Sequence, residues 1–113
     1  MSGHNILSQL AQGLGCRTVT AAGTTQSGAT PVEPGFTTTA GTGTEGVILP
    51  QCEVGTICII KNTGAGNLKV YPDTGSAINA GSANAALTMA TVTSCILVRT
   101  GALQWQSIPT VPS

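Results

Sequence analysis

TICIIK at residues 56–61 and SCILVR at residues 94–99 decide the fold. Each run is short, apolar and rich in β-branched residues, and turn-forming residues bound it, so each reads as a buried strand at the centre of a sheet. Working outward, residues 45–108 hold most of the remaining strand pattern, every Lys and Arg except Arg17, and the single Tyr and Trp. Residues 47–49 (VIL) read as a strand halted by Pro50. Residues 62–66 (NTGAG) form a loop of conformationally permissive residues. Residues 67–71 (NLKVY) then alternate, Leu68 and Val70 on one face and Lys69 and Tyr71 on the other, which predicts a hairpin with one wet face. Pro72-Asp73-Thr74-Gly75 has the chemistry of a tight turn. Residues 76–86 are rich in Ala, Gly, Asn and Ser, with Ile78 as apolar anchor. Leu87, Met89 and Val92 lead into the second run. Thr100-Gly101-Ala102 joins it to residues 103–108, where Leu103 and Trp105 are expected to share a face of a second hairpin.

The preceding residues read differently. Ile6, Leu7, Leu10 and Leu14 form the stripe of a short amphipathic helix over residues 4–14, with Ser2 or Asn5 as N-cap and Gly13 and Gly15 as terminators. Ten residues make no stable isolated helix in water, so the stripe must pack on its own domain or on a neighbour. Residues 17–21 (RTVTA) suit one strand. Residues 22–44 read as a linker, with Pro31 and Pro34 favouring extended backbone and residues 36–39 adding a short edge strand. So few apolar groups do not offset an ordering cost of about 1–2 kcal/mol per residue. The expected organisation is an N-terminal arm over residues 1–44, containing the short helix, and a β domain over residues 45–113.

Composition narrows the function. In 113 residues there is room for one core, and fifteen glycines with eighteen threonines favour strands over long helices. Four basic residues balance four acidic ones, and only 7% of the chain is charged, so copies repel one another weakly. Arg17, Lys61, Lys69 and Arg99 are scattered singly, which excludes a phosphate-neutralising patch and argues against nucleic acid as partner. No apolar run reaches the roughly 20 residues that span a bilayer, so no membrane partner is expected. Residues 1–15 show no basic n-region or cleavage site, which leads us to expect reduced thiols.

Chemistry is hard to build from these residues. His4 is the single histidine and sits apart from the strands, so a Ser or Cys nucleophile has no base. Glu45 and Glu53 are the sole carboxylate pair in the strand region outside the Asp73 turn, and with Glu33 and Asp73 they read as solvated turn charges. Cys16, Cys52, Cys58 and Cys95 show no C-x-x-C spacing. Cys58 and Cys95 lie in the two apolar runs as small hydrophobes. The Gly64-Ala65-Gly66 segment is a turn, since no GK[ST] follows it. No catalytic residue, metal site or cofactor is expected, and the chain reads as a non-enzyme. Tyr71 and Trp105 are the candidates for a surface stacking platform, with a half-buried strand position as the plainer reading of Trp105. Residues 54–61 (VGTICIIK) and 92–99 (VTSCILVR) echo one another, which points to pseudo-symmetry of a sandwich and gives no evidence of a solenoid.

Residues 46–79 (GVILPQCEVGTICIIKNTGAGNLKVYPDTGSAIN) and residues 103–108 (LQWQSI) carry a resemblance. In residues 47–50, Lys61-Asn62, Val70-Tyr71-Pro72, Gly75, Ile78-Asn79 and Trp105 the chain resembles a small β domain that recurs in virion proteins of tailed bacteriophages. The likeness covers about 60 residues, a module within the usual domain range, and leaves residues 1–44 aside. It implies a capsid decoration, or cement, protein: a homotrimer on the outer capsid that stabilises contacts between major capsid subunits, assembled in the host cytoplasm. The combined expectation is all-β, a small β-sandwich or jelly-roll of about six to eight short strands, with Ile6, Leu7, Leu10 and Leu14 as the partner-binding arm. A fibre or adhesin domain that binds a host glycan through Tyr71 or Trp105 is the alternative.

Overall fold

The computed structural model describes residues 15–109. The helix expected over residues 4–14, with Ile6, Leu7, Leu10 and Leu14, lies outside them. Ten strands form: β1 (Cys16–Thr18), β2 (Thr30–Pro31), β3 (Gly35–Thr39), β4 (Gly46–Ile48), β5 (Ile57–Asn62), β6 (Leu68–Tyr71), β7 (Ala77–Ile78), β8 (Leu87–Met89), β9 (Ser94–Gly101) and β10 (Gln104–Ile108). A single 3-10 turn at Gln26–Gly28 is the helical content of the described residues. The all-β expectation holds.

The topology differs from a jelly-roll or a hairpin-built sandwich. The larger sheet runs β1-β3-β5-β9-β10-β7 and the smaller β2-β4-β6-β8, so the chain alternates between the sheets from β1 to β8. Strands β1, β3 and β5 are parallel neighbours, and so are β2, β4 and β6. Parallel neighbours need crossovers, and here each crossover is a strand of the opposite sheet, which winds the chain into solenoid-like coils. Thr39 stands beside Asn62 and Val47 beside Val70, the same displacement of 23 residues in both sheets (62 − 39 = 70 − 47). Antiparallel β8 and β9 then line β6 and β5.

Three local expectations change with the topology. Strands β5 and β6 are not a hairpin, because the loop between them carries the chain from one sheet to the other. Among the described residues, β9 with β10 alone pairs consecutive strands. Residues 36–39 lie in the interior strand β3, between β1 and β5, and form no edge. Residues 16–39 thus carry three strands hydrogen-bonded into the two sheets, where the sequence suggested mostly linker.

Asn62 holds the coils in register. Its fully buried Oδ1 accepts from the N–H groups of Gly41 (2.8 Å) and Gly64 (2.9 Å), and its Nδ2 donates to the carbonyls of Gly66 and Ala90, both at 3.0 Å. One side chain thereby joins the loop after β3, the loop after β5 and the residues after β8. These loops touch through backbone: a Cβ on Gly41 would come within 2.5 Å of the Gly66 carbonyl oxygen. Glycine at 41 is therefore a packing requirement.

One core fills the space between the sheets. Cys58, Ile60, Leu97 and Trp105 enter from the larger sheet, and Val47, Leu68, Val70, Leu87 and Met89 from the smaller. Along β5, β9 and β10 burial alternates residue by residue, as the two-residue period of a pleated strand requires.

Candidate functional site: the outer face of the larger sheet

The same alternation that buries Cys58 and Ile60 turns Ile57 and Ile59 outward. Register places the outward residues of neighbouring strands side by side. Cys16 pairs with Phe36, Phe36 with Ile59, Ile59 with Ile96 and Ile96 with Ile108. One apolar row therefore crosses five strands. Ile57 and Val98, themselves partners, widen it on one side. On the other side Thr18, Thr38, Lys61 and Ser94 form a polar row, with the Thr18 and Thr38 hydroxyls 2.8 Å apart. Phe36, Ile59 and Val98 are half-buried, while Ile96 is 36% and Ile108 59% exposed. Nothing among the described residues covers this face. A contiguous apolar patch on a weakly charged domain is the usual mark of an association surface.

The groups that carry chemistry are placed elsewhere and are tied down. Asp73, in the turn after β6, lies beneath Trp105. Its Oδ1 accepts from Arg99 Nη1 and from Trp105 Nε1, both at 2.9 Å. The Arg99 guanidinium also sits 5.7 Å from the Trp105 ring centroid and donates from Nη2 to the Ala102 carbonyl. Both charged groups are nearly inaccessible, Asp73 at 4% and Arg99 at 6% exposure. Burial pushes the Asp73 carboxyl upward, but the Trp105 indole, Ser76 and the Arg99 guanidinium outweigh it and hold it below the ordinary carboxylate value. A carboxylate so satisfied fixes the turn onto the sheet. It has no open side for a substrate.

Trp105 has no exposed surface, so the expectation that it could serve as a surface stacking platform is corrected. Nor does Leu103 share its face. The register shifts between Gln104 and Trp105, and Leu103 is left outside the strand at 59% exposure. Tyr71 is half-buried. Its hydroxyl donates to the Thr24 carbonyl at 3.2 Å, and its ring lies over Gly46, where a Cβ would approach it to 3.0 Å.

The remaining candidates stay apart. Glu45 is half-buried and accepts from the Thr42 hydroxyl at 3.0 Å, while Glu33 and Glu53 are exposed. The four cysteines are free thiols: Cys16 is exposed, Cys52 half-buried, Cys58 and Cys95 buried. Burial pushes the Cys58 thiol up to about 12, Cys52 adding to the shift and Arg17 opposing it. Burial raises Cys95 as well, against hydrogen bonds from Ser107 and the Ile108 backbone. Both are held as neutral thiols and are poor nucleophiles at neutral pH. No cluster of His, Cys, Asp and Glu that would hold a metal ion forms among the described residues. No helix among them is long and apolar enough to cross a membrane.

Comparison with family models, curated proteins and solved structures gave no match.

The outer row was present in the sequence as Phe36, Ile57, Ile59, Ile96, Val98 and Ile108, but Ile57, Ile59, Ile96 and Val98 lay in runs that read as buried strands, Phe36 in an expected edge strand and Ile108 in an expected hairpin. The signal for the coils was the pair Gly41-x-Gly43 and Gly64-x-Gly66, displaced by 23 residues (64 − 41) like the strands themselves.

Proposed function

We propose that the protein is a structural virion protein, a capsid decoration protein that binds the outer capsid as a homotrimer and stabilises contacts between major capsid subunits. The observation that carries this reading is the row from Cys16 through Phe36, Ile59 and Ile96 to Ile108, an apolar surface on a body of zero formal net charge. Burying such surface is worth about 25 cal/mol per Å2, and weak self-repulsion does not oppose close packing of copies. Ile6, Leu7, Leu10 and Leu14 are proposed, from their spacing in the sequence, as the partner-binding arm. On a capsid, several small contacts per copy combine through multivalency, so each can be modest. The resemblance to virion β domains supplies the context.

Sedimentation of the protein alone and mixed with purified tailed-phage capsids tests the proposal. A trimer mass in isolation, with protein retained on capsids and a higher capsid melting temperature, is the expected result. A monomer that neither sediments with capsids nor alters their melting overturns it. Specific retention on a glycan array, lost on Tyr71→Ala, would assign the adhesin role instead.

A further inference from the structure

We propose that the outer face of the larger sheet is the contact between copies of this chain, with the symmetry axis running along the strands so that each row of one copy meets the same row of the next. The number of copies rests on the homotrimer reading; the surface and the axis come from the register of the strands.

The rows fix the axis. Across β5 and β9 the outward residues of each apolar pair match in kind, Ile59 beside Ile96 and Ile57 beside Val98, while Lys61 stands beside Ser94. Like residues therefore share a height along the strands, and the kind changes from one height to the next. A rotation about an axis parallel to the strands leaves every height unchanged. Apolar rows then meet apolar rows, and the row of Thr18, Thr38, Lys61 and Ser94 meets its own copy. An axis lying across the strands exchanges the heights on either side of Ile59. It would set Ile57 and Val98 against Lys61 and Ser94, pressing a cation onto an apolar surface.

The ends of the row and its dimensions suit closure. The row runs from Cys16 on β1, an edge strand, to Ile108 on β10, which β7 flanks only at Gln104 and Trp105. Both ends thus lie at open borders of the sheet, and in a ring the Ile108 end of one copy adjoins the Cys16 end of the next. Such a head-to-tail contact closes on itself when the rotation is a third of a turn. Five strands span about 24 Å, which places the centre of a three-sided prism about 7 Å from each sheet, near the half-spacing of roughly 5 Å between packed sheets. Three rows cover about 13 Å along the strands, so three faces together bury on the order of 1,000 Å2, the lower range of specific interfaces. Ring closure reinforces contacts of that size, because each copy is held by two neighbours. Lys61 is the single charge on these rows, and a chain of zero formal net charge adds little repulsion.

Two experiments on the full-length chain test the proposal. Multi-angle light scattering reads the mass of wild type and of Ile59→Asp, with the near-ultraviolet signal of Trp105 as the check of the core. A wild-type trimer and a folded variant at one third of its mass are expected. A folded variant that stays trimeric overturns the face as the contact while the homotrimer reading stands, whereas a wild-type mass below a trimer overturns both. In Ile108→Cys, oxidation with diamide should join the introduced thiol to Cys16 of the neighbouring copy, an exposed free thiol, and give covalent trimers on a non-reducing gel. Adding Cys16→Ser should abolish them. Absence of the covalent product, its survival in Cys16→Ser, or a product that stops at pairs overturns the axis along the strands. This second experiment decides by itself if Ile59→Asp does not fold.

Discussion

The two faces of the larger sheet are made from alternate residues of the same strands, and they have opposite fates. Inward, Cys58, Ile60, Leu97 and Trp105 are at most 1% exposed, and the charges near them are neutralised in place. Outward, Ile57, Ile96 and Ile108 are between 36% and 59% exposed. The inner face accounts for stability. The next outward row is Thr, Lys and Ser, so outward positions of this sheet accept polar residues. The apolar row across five strands is the surface on which the proposed association rests.

Substitutions should separate the faces by their readouts. The largest effect is expected from Arg99→Ala, which strands the Asp73 carboxylate in the interior and removes the cation over Trp105. A loss of about 3–5 kcal/mol of folding stability is expected, measured by urea denaturation. Asn62→Ala comes next. It leaves the Gly41 and Gly64 N–H groups and the Gly66 and Ala90 carbonyls without their buried partner, for roughly 1–3 kcal/mol.

Acid has a smaller and more specific effect. The Asp73 carboxyl titrates lower in the folded chain than in the unfolded one, so its contribution is full above the unfolded value of about 4 and is lost as pH falls through the folded value. Melting temperature should therefore fall below about pH 4 in the wild type, and that component of the fall should be absent in Asp73→Asn. The smallest effect on folding is expected from Ile96→Thr on the outer face, within about 0.5 kcal/mol, although dye binding or association changes. A large loss of stability in Ile96→Thr would erase the distinction between the faces.

How far the chain could be read from its letters follows the same division. Alternation in β6 showed its strand position and inward residues, because side chains point to opposite faces with a period of two regardless of which strand lies alongside, while β9 was legible only as an apolar run and the facing of Leu103 with Trp105 was misread. Pairing partners were not accessible that way. Residues 56–61 and 67–71 look like a hairpin, since a short glycine-containing loop joins two strands in both a hairpin and a coil corner. The distinguishing fact is that Asn62 accepts from the Gly41 N–H and Gly64 packs against the Gly41 backbone, contacts between residues far apart in sequence. For Trp105 a half-buried strand position was the plainer reading beside a surface one, and its full burial was not foreseen. Its tie to Asp73 was not legible, because Pro72-Asp73-Thr74-Gly75 is complete as a turn without any partner. The outer row needed five registers at once, and no single strand discloses it.

The central claim is that the outer face of the larger sheet serves association while the inner face serves folding. Retention of Ile59→Asp/Ile96→Asp on purified capsids, beside wild type and with the near-ultraviolet signal of Trp105 as the check of the core, tests it most directly. The account predicts an intact core signal with capsid retention lost. Wild-type retention by the folded variant would contradict it.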